Sequence, residues 1–249
     1  MLVSTNKEQG EWLEQAKDTY KGEQCFLLGC GKSLNQIDLS KLRGEIIMGV
    51  NGTYLIESIE LDFFVTVSHI FWKHHIEGLK NYCCKKRLFL PKYITLELDC
   101  PTTWLNTDVH QDFPKPLLFS LSADKYVVLG GTVIGVGLQI LYHLGFSKVI
   151  LLGIDHDYGL QKENVGERGS LIPSESLDAH FIPNYYPKGG KVHIDIFGAE
   201  RAYTLANTAF KNDGRTIVNA SPNTKLDIFP VVYFDSLFAY NKSSSVLII

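Results

Sequence analysis

Residues Cys25–Leu28 are an apolar run that stops at Gly29-Cys30-Gly31, followed by Lys32 and Ser33. A second run, Ile46–Val50, stops at Asn51-Gly52. Short apolar runs closed by turn residues predict buried strands. When such a strand stops in a glycine-rich turn at the carboxyl edge of a parallel sheet, its backbone N–H groups are expected to be free. Anions and nucleotides bind at edges of this kind, because glycine lets a ligand approach the main chain.

Two familiar phosphate motifs do not fit. Gly31-Lys32-Ser33 ends like a P-loop, but the first glycine of G-x-x-x-x-G-K-[ST] falls at Phe26. The dinucleotide pattern G-x-G-x-x-G fails at Leu34. What remains is G-x-G-x-S-L, a short turn carrying one hydroxyl.

Further along, Phe63–Val67 and Arg87–Leu90 read as a third and a fourth strand, and Leu117–Leu121 as another. A helix is expected over Glu11–Tyr20. A second opens at Gly131-Thr132 and closes at Gly145, with Thr132 as N-cap and Gly145 as C-cap. Gly135 and Gly137 are expected to let that helix sit close to the sheet. Lys148–Leu152 reads as a central strand, Ile196–Phe210 as the last helix and Arg215–Asn219 as the final strand. Residues Asp99–Pro116 read as an irregular excursion. Strands alternating with helical segments argue for a mostly parallel, doubly wound, Rossmann-like α/β sheet. One domain is expected over 1–249, with a Gly-, Pro- and charge-rich lid-like insertion at 159–192.

At 249 residues with a formal net charge of −3, the chain has no basic stripe of the kind that nucleic acid requires. No stretch reaches the roughly 18 apolar residues of a membrane span. The short apolar tail Val246-Leu247-Ile248-Ile249 packs as an edge strand, joins a homo-oligomer or touches a membrane surface. The five cysteines (Cys25, Cys30, Cys83, Cys84, Cys100) match neither a zinc site nor a disulfide framework. Their odd number fits a reducing cytoplasm.

Parallel sheets bind ligands beyond the carboxyl ends of their strands. The residues expected at that rim are Gly29, Gly31, Ser33, Asn51, Ser68, Gly131, Thr132, Gly153 and Asp155. They supply amides, hydroxyls, a carboxamide and a carboxylate, a set that suits a ribose, a phosphate and a base edge. Asp155-His156-Asp157 also has the D-x-D form in which Asp155 and Asp157 hold a divalent ion on a diphosphate. The alternative is that Asp155 bonds backbone amides or a ribose while Asp157 begins the insertion. His180 and His193 flank H-F-I-P-N-Y-Y-P-K-G-G-K-V-H and are candidate proton acceptors. Tyr158, Tyr185 and Tyr186 are neutral hydroxyl donors.

G-C-G-K-S-L-N-Q-I-D-L-S-K-L with V-N-G-T-Y, then G-G-T-V-I-G-V-G-L-Q-I-L-Y-H-L-G-F-S-K-V-I-L-L-G-I-D-H-D-Y, resembles the 6-hydroxymethylpterin diphosphokinase-like family, a former domain of unknown function. H-F-I-P-N-Y-Y, E-R-A-Y-T-L-A and G-R-T-I-V-N-A-S-P resemble the same branch. The neighbouring branch is the CMP-sialic-acid-dependent sialyltransferases of glycosyltransferase family 42. The resemblance runs from Cys25 to about Phe238.

It implies a broadly GT-A-like fold and a nucleotide site at Gly29, Gly31, Ser33, Asn51, Gly131, Thr132 and Gly153–Asp155. It also implies a phosphate-assisting tyrosine at Tyr158 and a catalytic base at His193, with His180 open. The implied activity is an inverting transfer from a CMP-nonulosonate donor to a glycan or glycoprotein acceptor in surface glycan biosynthesis, with no metal required. The alternatives are an ATP- and Mg-dependent diphosphotransferase and a non-catalytic nucleotide- or glycan-binding module.

Overall fold

The computed structural model describes residues 8–94, 98–107, 119–159, 166, 169–174, 177, 179–183, 185–186 and 189–242. Seven strands form one sheet: β1 (Gln24–Leu28), β2 (Ile47–Val50), β3 (Phe63–Val65), β4 (Arg87–Pro91), β5 (Thr102–Leu105), β6 (Lys148–Leu152) and β9 (Thr216–Asn219). Their spatial order is β5-β4-β3-β2-β1-β6-β9, and every pairing is parallel. The remaining strands, β7 (Ser170–Pro173) and β8 (Lys191–Ile194), form a separate antiparallel ribbon.

The near-continuous apolar strands follow from the need to cover both faces of a parallel sheet. Alternate residues of one strand feed two cores. Cys25, Leu27, Met48, Val50, Val149 and Leu151 pack with α1 (Glu8–Ala16), α3 (Val133–Leu144) and α4 (Ile196–Asn212). Phe26, Leu28, Ile47, Ile150 and Leu152 pack with α2 (His69–Lys80) and the 3₁₀ segment Phe234–Lys242. The result is a doubly wound Rossmann-like α/β fold.

β1 lies between β2 and β6. The chain winds outward in one direction from β1 to β5, then crosses back to add β6 on the other side. The carboxyl ends of β1 and β6 therefore flank the switch point, where open α/β sheets form their crevice.

Local signals explain the helix ends. The Thr132 hydroxyl accepts from the Ile134 amide (3.3 Å) at the start of α3, and Gly145 closes that helix in the left-handed region at φ 94°. Gly137 faces Leu27 and Met48 of the sheet, whereas Gly135 faces Ala202 of α4 rather than the sheet. Helix α1 ends earlier than expected, and Asp18, two residues beyond it, takes a left-handed φ of 60°.

Three sequence expectations need correcting. The excursion at 99–116 contains β5, an edge strand whose half-buried T-T-W-L carries too little apolar signal to stand out. Residues 119–121 are not strand, and Leu117 and Leu118 lie outside the described residues. Cys83 and Cys100 are joined by a disulfide, so two of the five cysteines form a bridge after all. The pair escapes a spacing argument because β4 and β5 are what bring its ends together. Among the described residues, no helix is long and apolar enough to cross a membrane. The tail 246–249 lies outside the described residues, as do parts of 159–192.

Candidate functional site

A cleft of about 110 Å³ opens at the switch point. It is lined by the loops after β1 (Gly29, Cys30, Gly31), β2 (Asn51) and β6 (Gly153–Tyr158), by the start of α3 (Thr132–Ile134), and by Ala179, His180, Tyr185 and Tyr203. Nine of the expected site residues meet here: Gly29, Gly31, Asn51, Thr132, Gly153, Asp155, Asp157, Tyr158 and His180.

The glycine turn is built differently from the sequence expectation. The amides of Gly29, Gly31 and Ser33 are not free. Gly29 N–H donates to Leu152 O (2.8 Å), Gly31 N–H to Gly153 O (2.8 Å) and Ser33 N–H to Asp155 Oδ2 (2.9 Å). The Ser33 hydroxyl donates to Asp155 Oδ1. The ladder between β1 and β6 thus continues past the strand ends and locks one loop onto the other. Close approach explains the glycines: a Cβ on Gly29 would stand 2.6 Å from Gly153 O, and one on Gly31 2.5 Å from the Asp155 carboxyl carbon. Ser33 therefore serves the site through Asp155.

The β6 loop is fastened from its other side. Ser221 Oγ accepts from the Ile154 amide (2.9 Å), while Asn219 Nδ2 and Thr224 Oγ1 donate to Ile154 O (3.1 and 2.8 Å). These buried and half-buried polar residues close and follow the last strand in N-A-S-P-N-T. That concentration of small polar residues at a strand end was the available signal for them.

Asn51 and His156 are non-glycine residues with positive φ (44° and 53°), and both line the cleft. Such geometry persists only where the surroundings enforce it, and it clusters at ligand sites. Asn51 Oδ1 accepts from the Thr66 hydroxyl (2.7 Å), which fixes the carboxamide plane.

His180 pairs across to Gly31 in an isolated antiparallel bridge, and Phe181 N–H donates to Cys30 O (2.9 Å). Its ring stacks on Tyr185 (3.8 Å between centroids), and burial lowers its pKa to about 4. Tyr185 is wedged between Cys30, whose sulfur accepts from its hydroxyl (3.6 Å), and Gly52, where a Cβ would meet the ring at 2.5 Å. Burial, reinforced by Asp155 and Glu200, pushes the Tyr158 hydroxyl up to about 12, so it is a donor at neutral pH.

Other expected residues sit elsewhere. His193 does not line the cleft; it lies exposed on β8, its ring against Gly169. Ser68 caps α2, its hydroxyl accepting from Phe71 N (3.2 Å). Gly131 packs against Asp195 and Ala199 at the start of α4. Asp157, by contrast, does line the cleft, but it accepts from Lys225 Nζ (2.9 Å) and the Gly159 amide (3.1 Å), and these contacts hold its carboxyl below the ordinary range. Asp155 and Asp157 are thus committed to separate partners. Among the described residues, no three side chains converge in the manner of a metal site.

Tyr203 and Glu200 were not singled out from sequence. Tyr203 OH lies 3.3 Å from Thr132 Oγ1, and Glu200 Oε1 lies 3.2 Å from His156 Nε2. Their helical spacing on α4 was visible, but nothing in the sequence pairs them with loops some 40 to 70 residues away.

No protein-family model matches this sequence, and no curated protein matches it either.

Proposed function

We propose that this chain is an inverting transferase using a nucleotide-activated sugar, a CMP-nonulosonate, and that it builds a surface glycan on a glycan or glycoprotein acceptor. The observation that carries the reading is the meeting of Asn51, Thr132, Asp155, Tyr158 and His180 in one cleft at the switch point. Under it, Asn51 and the β6 loop hold the nucleoside, and the amino end of α3 faces the phosphate. Tyr158 donates to that phosphate as it departs. His180, kept neutral by burial, takes the proton of the attacking hydroxyl. It is favoured over His193 because it lines the cleft. General bases contribute about 10²–10⁴-fold, most when their pKa lies near the operating pH, so the lowered pKa of His180 puts it at the lower end of that range.

The cleft is smaller than the roughly 300–1,000 Å³ of most small-molecule sites. Binding of a whole nucleotide therefore displaces part of the cover formed by residues 179–183, 185 and 186.

Two alternatives stand behind it. An ATP- and Mg-dependent diphosphotransferase would use Asp155 and Asp157 on the ion, but their separate commitments to Ser33 and Lys225 favour a monophosphate donor. A non-catalytic nucleotide- or glycan-binding module would bind the same ligands without turnover. The cytoplasmic compartment, at the inner face of the membrane, belongs to the proposal, and the Cys83–Cys100 bridge makes it testable. A mass-spectrometric transfer assay over a CMP-sugar panel without metal tests the function. Product formation that His180→Asn lowers at least a hundredfold supports it. Turnover only with ATP and Mg²⁺ selects the kinase, and binding without turnover selects the module.

A further inference from the structure

His156 sits on the loop beyond β6 with its side chain only 7% exposed. Its left-handed backbone (φ 53°) places the ring in the cleft wall. Nε2 lies 3.2 Å from Glu200 Oε1. A carboxylate only accepts, so Nε2 carries the hydrogen, and a neutral ring then presents a lone pair at Nδ1. Nδ1 is buried and has no hydrogen-bond partner among the described residues. Leaving a buried polar atom unpaired costs about 1–3 kcal/mol, and since His156 lines the cleft, a small turn of its ring on ligand binding would let the ligand supply the partner.

The surroundings say which partner. Tyr158 and Tyr203 meet the His156 ring edge to face at 5.7 and 6.1 Å. Tyr203 OH reaches Thr132 Oγ1. Among the described residues lining the cleft there is no lysine or arginine. Aromatic rings interleaved with neutral hydroxyls suit a hydroxylated ring, and an Nδ1 lone pair accepts from O–H but repels a phosphoryl oxygen. We propose that His156 reads a sugar hydroxyl, its Nδ1 accepting a hydrogen bond from a hydroxyl of a ring bound in this cleft. The proposal deepens the transferase reading and shares its site. The hydroxyl belongs either to the ribose of a nucleotide or to the sugar being transferred.

The test is the long-range ¹⁵N–¹H imidazole spectrum of the full-length chain, with His156 assigned by its loss in His156→Gln. Nδ1 is expected to be without a hydrogen in the free protein. CMP or a methyl hexoside then moves the Nδ1 resonance, and inorganic phosphate does not. A response to CMP that disappears with its 2′,3′-dideoxy analogue assigns the ribose; a response to the methyl hexoside assigns the other ring. His156→Phe keeps the aromatic contacts and weakens the responding ligand about tenfold, the worth of one hydrogen bond. The proposal is overturned if Nδ1 carries the hydrogen in the free protein, if inorganic phosphate moves it, if neither CMP nor the hexoside does, or if His156→Phe binds as tightly as wild type. If UMP and AMP act as well as CMP, His156 keeps its role and the cytidine donor is lost.

Discussion

Gly31→Ala probes the loop lock directly. Gly31 has φ −69° and ψ 154°, a conformation open to any residue, so alanine brings no backbone strain. Its Cβ would nonetheless lie 2.5–2.6 Å from all three atoms of the Asp155 carboxylate. The carboxylate must move and release both Ser33 hydrogen bonds. Hydrogen bonds to a charged group are worth about 1.5–3 kcal/mol each. Asp155 is only half-buried and regains water on leaving, so the lower end applies, about 3 kcal/mol for the two. Replacing glycine where the conformation is compatible returns about 0.4–1 kcal/mol through the unfolded chain. The net loss is therefore about 2–2.5 kcal/mol, or a fall in Tm of roughly 4–10 °C for a chain of this size. Denaturant titrations of the cycle Gly31→Ala, Asp155→Ala and the double variant provide the assay. With the carboxylate already gone, Gly31→Ala should turn neutral or slightly stabilising. An equal cost in both backgrounds, or a stabilising effect in the wild type, would refute the lock.

Two further outcomes follow from other parts of the fold. His180 titrates near pH 4 in the folded chain and near about 6.5 unfolded, so the unfolded state binds the extra proton. Stability therefore falls as pH drops from about 6.5 to 4, by at most about 1.4 kcal/mol per pH unit from this group. His180→Asn should flatten that slope in pH-dependent unfolding, and an unchanged slope contradicts the burial. The Cys83–Cys100 bridge closes a loop of sequence separation 17, so opening it with Cys100→Ser should cost about 3 kcal/mol by chain entropy. Protein isolated from a reducing cytoplasm with both thiols alkylated would show the bridge absent where the chain works.

The sheet was legible because β1, β2, β3, β4 and β6 are dense apolar runs closed by turn residues, and α3 carries its caps in Thr132 and Gly145. The residues at the ends of β1, β2 and β6 were legible for the same reason, since strand ends mark the carboxyl edge, whereas Ser68 and Gly131 lie outside the cleft lining. What stayed hidden depends on partners distant in sequence. The amides of Gly31 and Ser33 read as free because their acceptors, the Gly153 carbonyl and the Asp155 carboxylate 122 residues beyond Ser33, are distant in sequence. β5 is decided by pairing with β4 rather than by its own T-T-W-L. Of the two flanking histidines, His180 reaches the cleft through its bridge to Gly31, and no spacing rule separates it from His193. His156 looked like the middle of a D-x-D motif until Glu200, 44 residues on, fixed its ring.

Amide chemical-shift mapping of the full-length chain with CMP in metal-free buffer addresses the central claim most directly. Saturable shifts confined to residues 29–33, 51–53, 132–134, 153–158, 179–183, 185 and 186, the segments around the switch point, are the predicted result. Shifts that fall on another face of the molecule, or none at millimolar CMP, would contradict it.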